Sequence, residues 1–187
     1  YGEHARLVFR SVTEHLDNDG SPKYDVYVEP TVWGNTSWKL QETEETLYMK
    51  KCVKKSIDFK KTGEKYDVAL LVQLPHEWDP SAAHYNIGVT AAIETDRAHP
   101  HWIYHSNNVI DQIITVSNHA ARSMTSPSYA LIKKDTGENI QAKLSKKVTV
   151  IGFPVKEYKK TDNDILNTVD TKFNFLSVLQ SSPRKNL

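Results

Sequence analysis

The middle of the chain contains the run Asn86-Ile87-Gly88-Val89-Thr90-Ala91-Ala92-Ile93-Glu94-Thr95-Asp96-Arg97. Its first eight residues are mostly apolar or small, which predicts a buried strand of a parallel sheet, covered on both faces. The last four residues are polar and directly follow that strand. Open α/β sheets bind ligands outside the carboxyl ends of their strands. This run therefore predicts both a fold class and the position of a site.

Strands and helices alternate on both sides of this run. Apolar or β-branched segments predict strands at 24–28, 67–73, 87–92, 112–116 and 147–151. Helical spacing and capping residues predict helices at 2–16, 43–60, 99–109 and 118–124, the second capped by Thr43 and the last by Ser117. Residues 125–145 fit either a loop or a hairpin. The alternation predicts an α/β fold with a Rossmann-like parallel sheet flanked by helices.

Composition limits the class of partner. The 187 residues are 39% hydrophobic and carry 24 basic against 23 acidic side chains, so neither nucleic acid nor an anionic membrane is the expected partner. No apolar run approaches the roughly 20 residues of a membrane span. The single cysteine, Cys52, cannot form an internal disulfide. A reducing, cytoplasmic location fits, and a secreted protein without disulfides stays open.

The segment Glu94–Trp102 concentrates groups that can act on a substrate. It contains a carboxylate pair, an arginine, two histidines and a tryptophan, all after the predicted strand. Such a set can place a general base, or an acceptor of sugar hydroxyl groups, beside an aromatic ring. The alternative is a capped helix start in which Asp96 pairs with Arg97 and Trp102 packs in the core.

Pro100 fixes how this segment enters the next helix. Its φ angle and missing N–H suit the first helical turn, so we expect His99 at or near the cap. His99 should then be partly exposed beside Glu94. Trp102 lies elsewhere around the helix and should be mostly buried.

No motif of an established enzyme class is present. The sequence lacks GxSxG, P-loop, GxGxxG, CxxC and HExxH patterns. His99 and His101, with His76 in a neighbouring loop, leave a metal site as a minor alternative, and we expect neither a metal nor a cofactor. Cys52 lies in a predicted helix with no histidine nearby in sequence, which favours a core residue.

The order of these features resembles the N-terminal half of GT-B-fold glycosyltransferases, close to the retaining glycosyltransferase family 4. The segments that carry the resemblance are Gly88–Arg97, Pro100 with Trp102, Asp111–His119 and Val148–Val155. The start at Tyr1-Gly2 resembles the glycine-containing loop after that domain's first strand. The resemblance implies that the first strand is missing from this chain.

The end of the chain resembles the start of the second, donor-binding domain. The resemblance implies an acceptor-side domain at 1–158, a linker at 159–171, and the first strand and helix start of the donor domain at 172–187. Lys185 matches a family lysine, whereas Gln180 stands where the family often has an arginine. We therefore expect a fragment of a longer protein that is inactive alone. A complete small domain with a basic tail is the alternative.

The resemblance also implies a reaction. The full-length parent would transfer a hexose from a nucleotide-sugar, bound as a substrate, to a carbohydrate or other hydroxyl acceptor. Acceptor specificity would lie in the loops 30–45 and 125–145. The implied catalytic residues are Glu94 and His99, and the implied substrate-binding residues are Gly2, Arg97, Ser117 and Lys185. The rival hypothesis is a non-catalytic module that binds carbohydrate or another subunit through Trp33, Trp38, Trp78 and Trp102.

Overall fold

The computed structural model describes residues 2–31, 42–155 and 157. The chain divides into two compact units, residues 1–154 and 155–187. Nearly all of the second unit lies outside the described residues. The predicted linker at 159–171, the predicted donor-domain start at 172–187, Lys185, Trp33 and Trp38 lie outside them too.

The first unit contains both helices and strands, which alternate in the middle of the chain as the sequence predicts. In chain order the elements are α1 Gly2–Thr13, α2 Glu44–Lys60, β1 Tyr66–Val72, a 3₁₀ turn Pro75–Glu77, β2 Ala83–Thr90, α3 Pro100–Val109, β3 Gln112–Thr115, α4 Asn118–Thr125, β4 Ser128–Ile132, β5 Asn139–Lys143 and β6 Lys147–Val150.

Four of these strands form a parallel sheet in the order β1-β2-β3-β6. The remaining two, β4 and β5, form a separate antiparallel hairpin. The predicted fold class is therefore confirmed as α/β with a parallel sheet flanked by helices. The segment 125–145, for which a loop or a hairpin was open, contains the hairpin.

The strand register puts Leu71, Gly88, Ile113 and Val148 in one row across the sheet. This row faces the hydrophobic core, where Ile103 of α3 and Met124 of α4 are fully buried. One face of the sheet is thus covered by the two helices that follow β2 and β3.

The opposite face of β1 is more exposed than the sequence predicts. Val68 is 55% exposed and Leu70 is 41% exposed, and Tyr85, the register partner of Val68, is 43% exposed. The apolar run at 66–74 was expected to be covered on both faces. β1 forms the end of the described sheet, and its outward row of side chains remains accessible to solvent.

The predicted strand at 24–28 is wrong. These residues form no strand and lie beside α2, where the Val28 N–H donates to Ser56 Oγ at 2.9 Å. The Tyr27 ring lies 5.0 Å from the rings of both Phe59 and Tyr66. The aromatic residues of this alternating segment therefore pack on a helix, and the segment does not pair with a strand of the sheet.

Each helix start that the sequence singled out by a cap is confirmed. Thr43 and Thr46 form a reciprocal capping box at α2. Ser117 Oγ accepts the Ala120 N–H of α4 at 3.1 Å, and His99 caps α3 with Pro100 in the first turn. These local bonds satisfy N–H groups that have no partner inside the helix.

Trp78 joins three elements of the core. Its indole Nε1–H donates to the Leu71 carbonyl oxygen at 3.0 Å, and its own carbonyl accepts from His105 Nε2 of α3 at 3.0 Å. A Cβ atom on Gly88 would lie 2.5 Å from Trp78 Cζ2. Gly88 is therefore required because the indole ring occupies the space of a side chain on β2.

We predict that Gly88→Ala destabilises the protein by about 1–3 kcal/mol, because the Trp78 ring must move out of its packed position. Urea unfolding monitored by tryptophan fluorescence measures the change. Gly152→Ala is the matched control, since a Cβ there has no atom within 4 Å. Equal unfolding midpoints for the two variants would contradict the prediction.

Candidate functional site

The parallel sheet brings four connecting segments to one edge. Because all four strands run in the same direction, the residues after β1, β2, β3 and β6 lie at the carboxyl edge of the sheet. They are 73–79, 91–99, 116–117 and 151–154. This edge is where open α/β sheets bind ligands.

The start of α1 lies at the same edge. The His4 imidazole meets the Phe153 ring edge-on, with ring centroids 5.1 Å apart, and Phe153 follows β6. Burial lowers the pKa of His4. Gly2, the first residue of α1, is exposed and has no atom within 4 Å of the position of a Cβ. An approaching anion could therefore reach the backbone N–H groups of this helix start.

The segment after β2 is fixed at both of its ends. Ala92 adopts a left-handed φ of 55°, which is unusual for a residue with a side chain, and turns the chain away from the strand. Its N–H donates to Thr90 Oγ1 at 3.1 Å. Further on, the buried Ala98 donates its N–H to the Ser123 carbonyl at 2.8 Å and accepts from the Tyr129 hydroxyl at 2.9 Å.

The polar residues between these two fixed points are exposed to solvent. Glu94, Thr95, Asp96 and Arg97 all lie on the surface. Arg97 Nε is 3.5 Å from Asp96 Oδ2, so the pairing expected for a simple helix start is present. Such an exposed ion pair contributes little to stability, and both side chains can turn to a ligand.

His99 performs a structural task with one ring nitrogen. Its Nδ1 accepts the backbone N–H of His101 at 3.2 Å, which makes the imidazole the cap of α3. A nitrogen that accepts this hydrogen bond carries no proton, so the neutral ring has its proton on Nε2. The exposed His99 ring can therefore donate a hydrogen bond from Nε2 to a ligand oxygen. Taking up a proton at Nδ1 would break the cap.

Trp102 and His76 form an aromatic pair next to this turn. Their rings stack with centroids 5.8 Å apart, and Trp102 is half-buried against the hydrophobic core. The packing role expected for Trp102 is present, although its burial is incomplete. The sequence did not predict the partnership with His76, because the two residues lie 26 positions apart on different elements.

The predicted site residues lie at the carboxyl edge wherever the structure describes them. Glu94 and Arg97 follow β2, Ser117 follows β3, and Gly2 begins α1, whose His4 contacts Phe153 in the segment after β6. The Ser117 hydroxyl oxygen already accepts a hydrogen bond as the α4 cap. Lys185 lies outside the described residues. A role for these side chains in binding a substrate stays a prediction.

A groove of about 650 Å³ opens between the first turns of α3 and the β4–β5 hairpin. One wall carries two imidazoles and a phenol, and the other carries aliphatic side chains with a lysine and an aspartate near the hairpin turn. The lining includes His99, His101, Tyr104, Leu131, Ile132, Lys133, Asp135 and Ile140. Hydrogen bonding to Glu138 raises the pKa of Lys133.

The sequence alone does not reveal this groove, although it contains part of the signal. The run Asp135-Thr136-Gly137 is a turn pattern, and Gly137 has a left-handed φ of 71°. That signal locates the hairpin turn. It cannot show that the hairpin lies against α3, since this contact joins residues about 30 positions apart.

No group of three or more His, Cys, Asp or Glu side chains within 2–31, 42–155 and 157 is arranged to hold a metal ion. Among the helices in those ranges, none has the length and apolar character needed to cross a membrane.

Comparison of the chain with protein-family models, curated proteins and solved structures found no match.

The cap at α3 gives a prediction about stability. His99→Ala should destabilise the protein by about 1 kcal/mol, because the His101 N–H loses its acceptor. His99→Asn should recover most of this loss, because asparagine is among the best capping residues. Urea unfolding of both variants makes the comparison. Equal loss in the two variants would show that the Nδ1 bond does not hold the helix start.

His4 gives a prediction about pH. Because its pKa is lowered in the folded protein, the unfolded chain takes up this proton first as the pH falls below the ordinary value of 6.5. The contribution of neutral His4 to stability is therefore complete above that pH and is lost as the pH falls through the folded pKa. His4→Phe should lose less stability than the parent between about pH 7.5 and 5.5 in urea unfolding. The same loss in both proteins would contradict the assignment.

Proposed function

We propose that this chain is the acceptor-side domain of a glycosyltransferase with GT-B architecture. The parent protein would transfer a hexose from a nucleotide-sugar to a hydroxyl acceptor. The observation that carries the proposal is the carboxyl edge of the parallel sheet, where the polar segment 94–97, the His99 cap and the Ser117-capped α4 follow neighbouring strands. The sequence resemblance to retaining glycosyltransferase family 4 covers the same segments.

The chemistry of hexosyl transfer suits groups of this kind. Positive charge develops on the sugar and negative charge on the leaving diphosphate, so oriented dipoles and cations near the phosphates lower the barrier. The N-terminus of α1, with Gly2 at its start, offers backbone N–H groups to an anion. Lys185 lies outside the described residues, and its part in binding the substrate is what the sequence resemblance implies.

On the acceptor side, the exposed carboxylate of Glu94 would accept the proton of the attacking hydroxyl. His99 would donate a hydrogen bond from Nε2 to an acceptor or sugar oxygen and hold it in position. Arg97 and Ser117 would complete the polar surface around these two groups. Because Nδ1 of His99 already serves the cap, the proposal assigns the proton transfer to Glu94 and the positioning to His99.

The rival function is a subunit-interaction module without catalysis. It is favoured by one observation, the exposed apolar side chains of Val68, Leu70 and Tyr85 on the face of the sheet opposite α3 and α4. The transfer assay below separates the two functions, since an interaction module would release no nucleotide.

The test is turnover by the full-length parent with a panel of nucleotide-sugars, measured as nucleotide released and as glycosylated acceptor. Glu94→Ala should lower kcat/KM by about 10²- to 10⁴-fold, and His99→Asn by about 10- to 100-fold, while folding is preserved. Matched controls are Glu64→Ala in the turn before β1 and His84→Asn near the start of β2. Both positions lie at the amino edge of the sheet and should leave turnover unchanged. Absence of transfer from every donor, or full activity of Glu94→Ala, would overturn the proposal.

A further inference from the structure

Two histidines of α3 lie one helical turn apart. His101 and His105 are separated by four positions, which places their side chains on the same face of the helix. Their rings stack with centroids 5.8 Å apart and with planes 17° from parallel. Histidines four positions apart on a helix can bind one ion between them, as the two histidines of the HExxH pattern bind zinc. The two imidazoles therefore form a candidate chelating pair.

A backbone carbonyl fixes the protonation of the second ring. His105 Nε2 lies 3.0 Å from the carbonyl oxygen of Trp78. Because a carbonyl only accepts hydrogen bonds, Nε2 carries the proton, and Nδ1 of the neutral ring keeps its lone pair. Histidines that bind metals usually donate their other ring N–H to a carbonyl or carboxylate, which orients the ring and makes the bound nitrogen more basic. His105 therefore has the support that a metal ligand uses.

The first ring is accessible from solvent. His101 is exposed, whereas His105 is half-buried. The backbone N–H of His101 donates to the His99 cap, which holds its backbone in place without using its ring. The His101 ring can therefore turn about its side-chain bonds and aim a nitrogen at an ion that is bound to His105 Nδ1.

Two other histidines at this end of α3 have different contacts. His99 Nδ1 caps the helix, and the His76 ring stacks on Trp102 with centroids 5.8 Å apart. In the part of the chain that the structure describes, no third His, Cys, Asp or Glu side chain is placed to join a pair around a metal ion. Water would fill the remaining coordination positions, as it fills the open position of catalytic zinc sites.

We propose that His101 and His105 form a two-histidine site for a divalent transition-metal ion of the kind that imidazole prefers, such as Zn²⁺ or Cu²⁺. Each imidazole nitrogen replaces one water molecule of the ion, and no electron is transferred. The site lies outside the proposed glycosyl transfer and does not depend on it. Because the pair spans one turn of α3, the bound ion also stabilises the folded protein.

Binding can be followed directly at the ring nitrogens. The chain, with ¹⁵N-labelled histidine, is titrated with ZnCl₂ to about 1 mM at about pH 7.5. The ring resonances of His101 and His105 should shift together and saturate, with a larger ¹⁵N change at Nδ1 of His105 than at its Nε2. MgCl₂ should shift neither ring, because Mg²⁺ prefers oxygen ligands.

His119 of α4 provides the matched control. It is an exposed helical histidine, and the residues four positions before and after it are Thr115 and Ser123, so it has no chelating partner along its helix. His101→Ala should weaken Zn²⁺ binding by roughly tenfold or more, since loss of a group that only supports a metal ligand already costs about 10- to 100-fold. His119→Ala should bind Zn²⁺ as the parent chain does.

Urea unfolding checks that the ion binds the folded chain. Zn²⁺ should raise the unfolding midpoint of the parent and of His119→Ala, and should leave that of His101→Ala nearly unchanged. Shifts at His101 and His105 no larger than those at His119, equal Zn²⁺ affinity of His101→Ala and the parent, or the same response to MgCl₂ would each overturn the inference. A ¹⁵N change centred on Nε2 of His105 would also overturn it, because Nε2 would then have left the Trp78 carbonyl.

Discussion

The contact between the Trp78 indole and Gly88 is the constraint on which the rest of the domain depends. The ring fills the space above the backbone of β2, and its Nε1–H donates to the Leu71 carbonyl of β1. The backbone carbonyl of Trp78 accepts a hydrogen bond from His105 Nε2 of α3. One residue outside the regular elements therefore sets the spacing of two strands and one helix. Since interiors are close-packed, a side chain at Gly88 has no room into which this ring could withdraw cheaply.

Fixing α3 against the sheet also fixes the candidate site. The segment 91–99 must run from the end of β2 to the start of α3, and Ala98 anchors it through Ser123 and Tyr129. The exposed residues Glu94–Arg97 are thus held between two rigid points. The first point is held by the Thr90 hydroxyl, and the second by the Ser123 carbonyl and the Tyr129 hydroxyl.

The features that the sequence predicts well are local ones. The caps at Thr43 and Ser117 and the buried run in β2 depend on neighbours within a few residues, so the pattern determines the structure. The segment 24–28 has the alternation of a strand, and alternation alone cannot distinguish pairing with a strand from packing of Tyr27 on α2. The groove required knowledge of which face of the hairpin meets α3, and no local pattern carries that information.

The first turn of α3 connects the structural and chemical parts of the candidate site. Nδ1 of His99 holds the helix start, so this ring is oriented by the fold and presents only Nε2 outward. The stacking of His76 on Trp102 fixes the next residues of the same turn. Substitutions are therefore less costly on the opposite wall of the groove. There, Ile132 is mostly exposed and can be replaced without disturbing either the cap or the core, whereas changes at α3 would alter the site and the fold together.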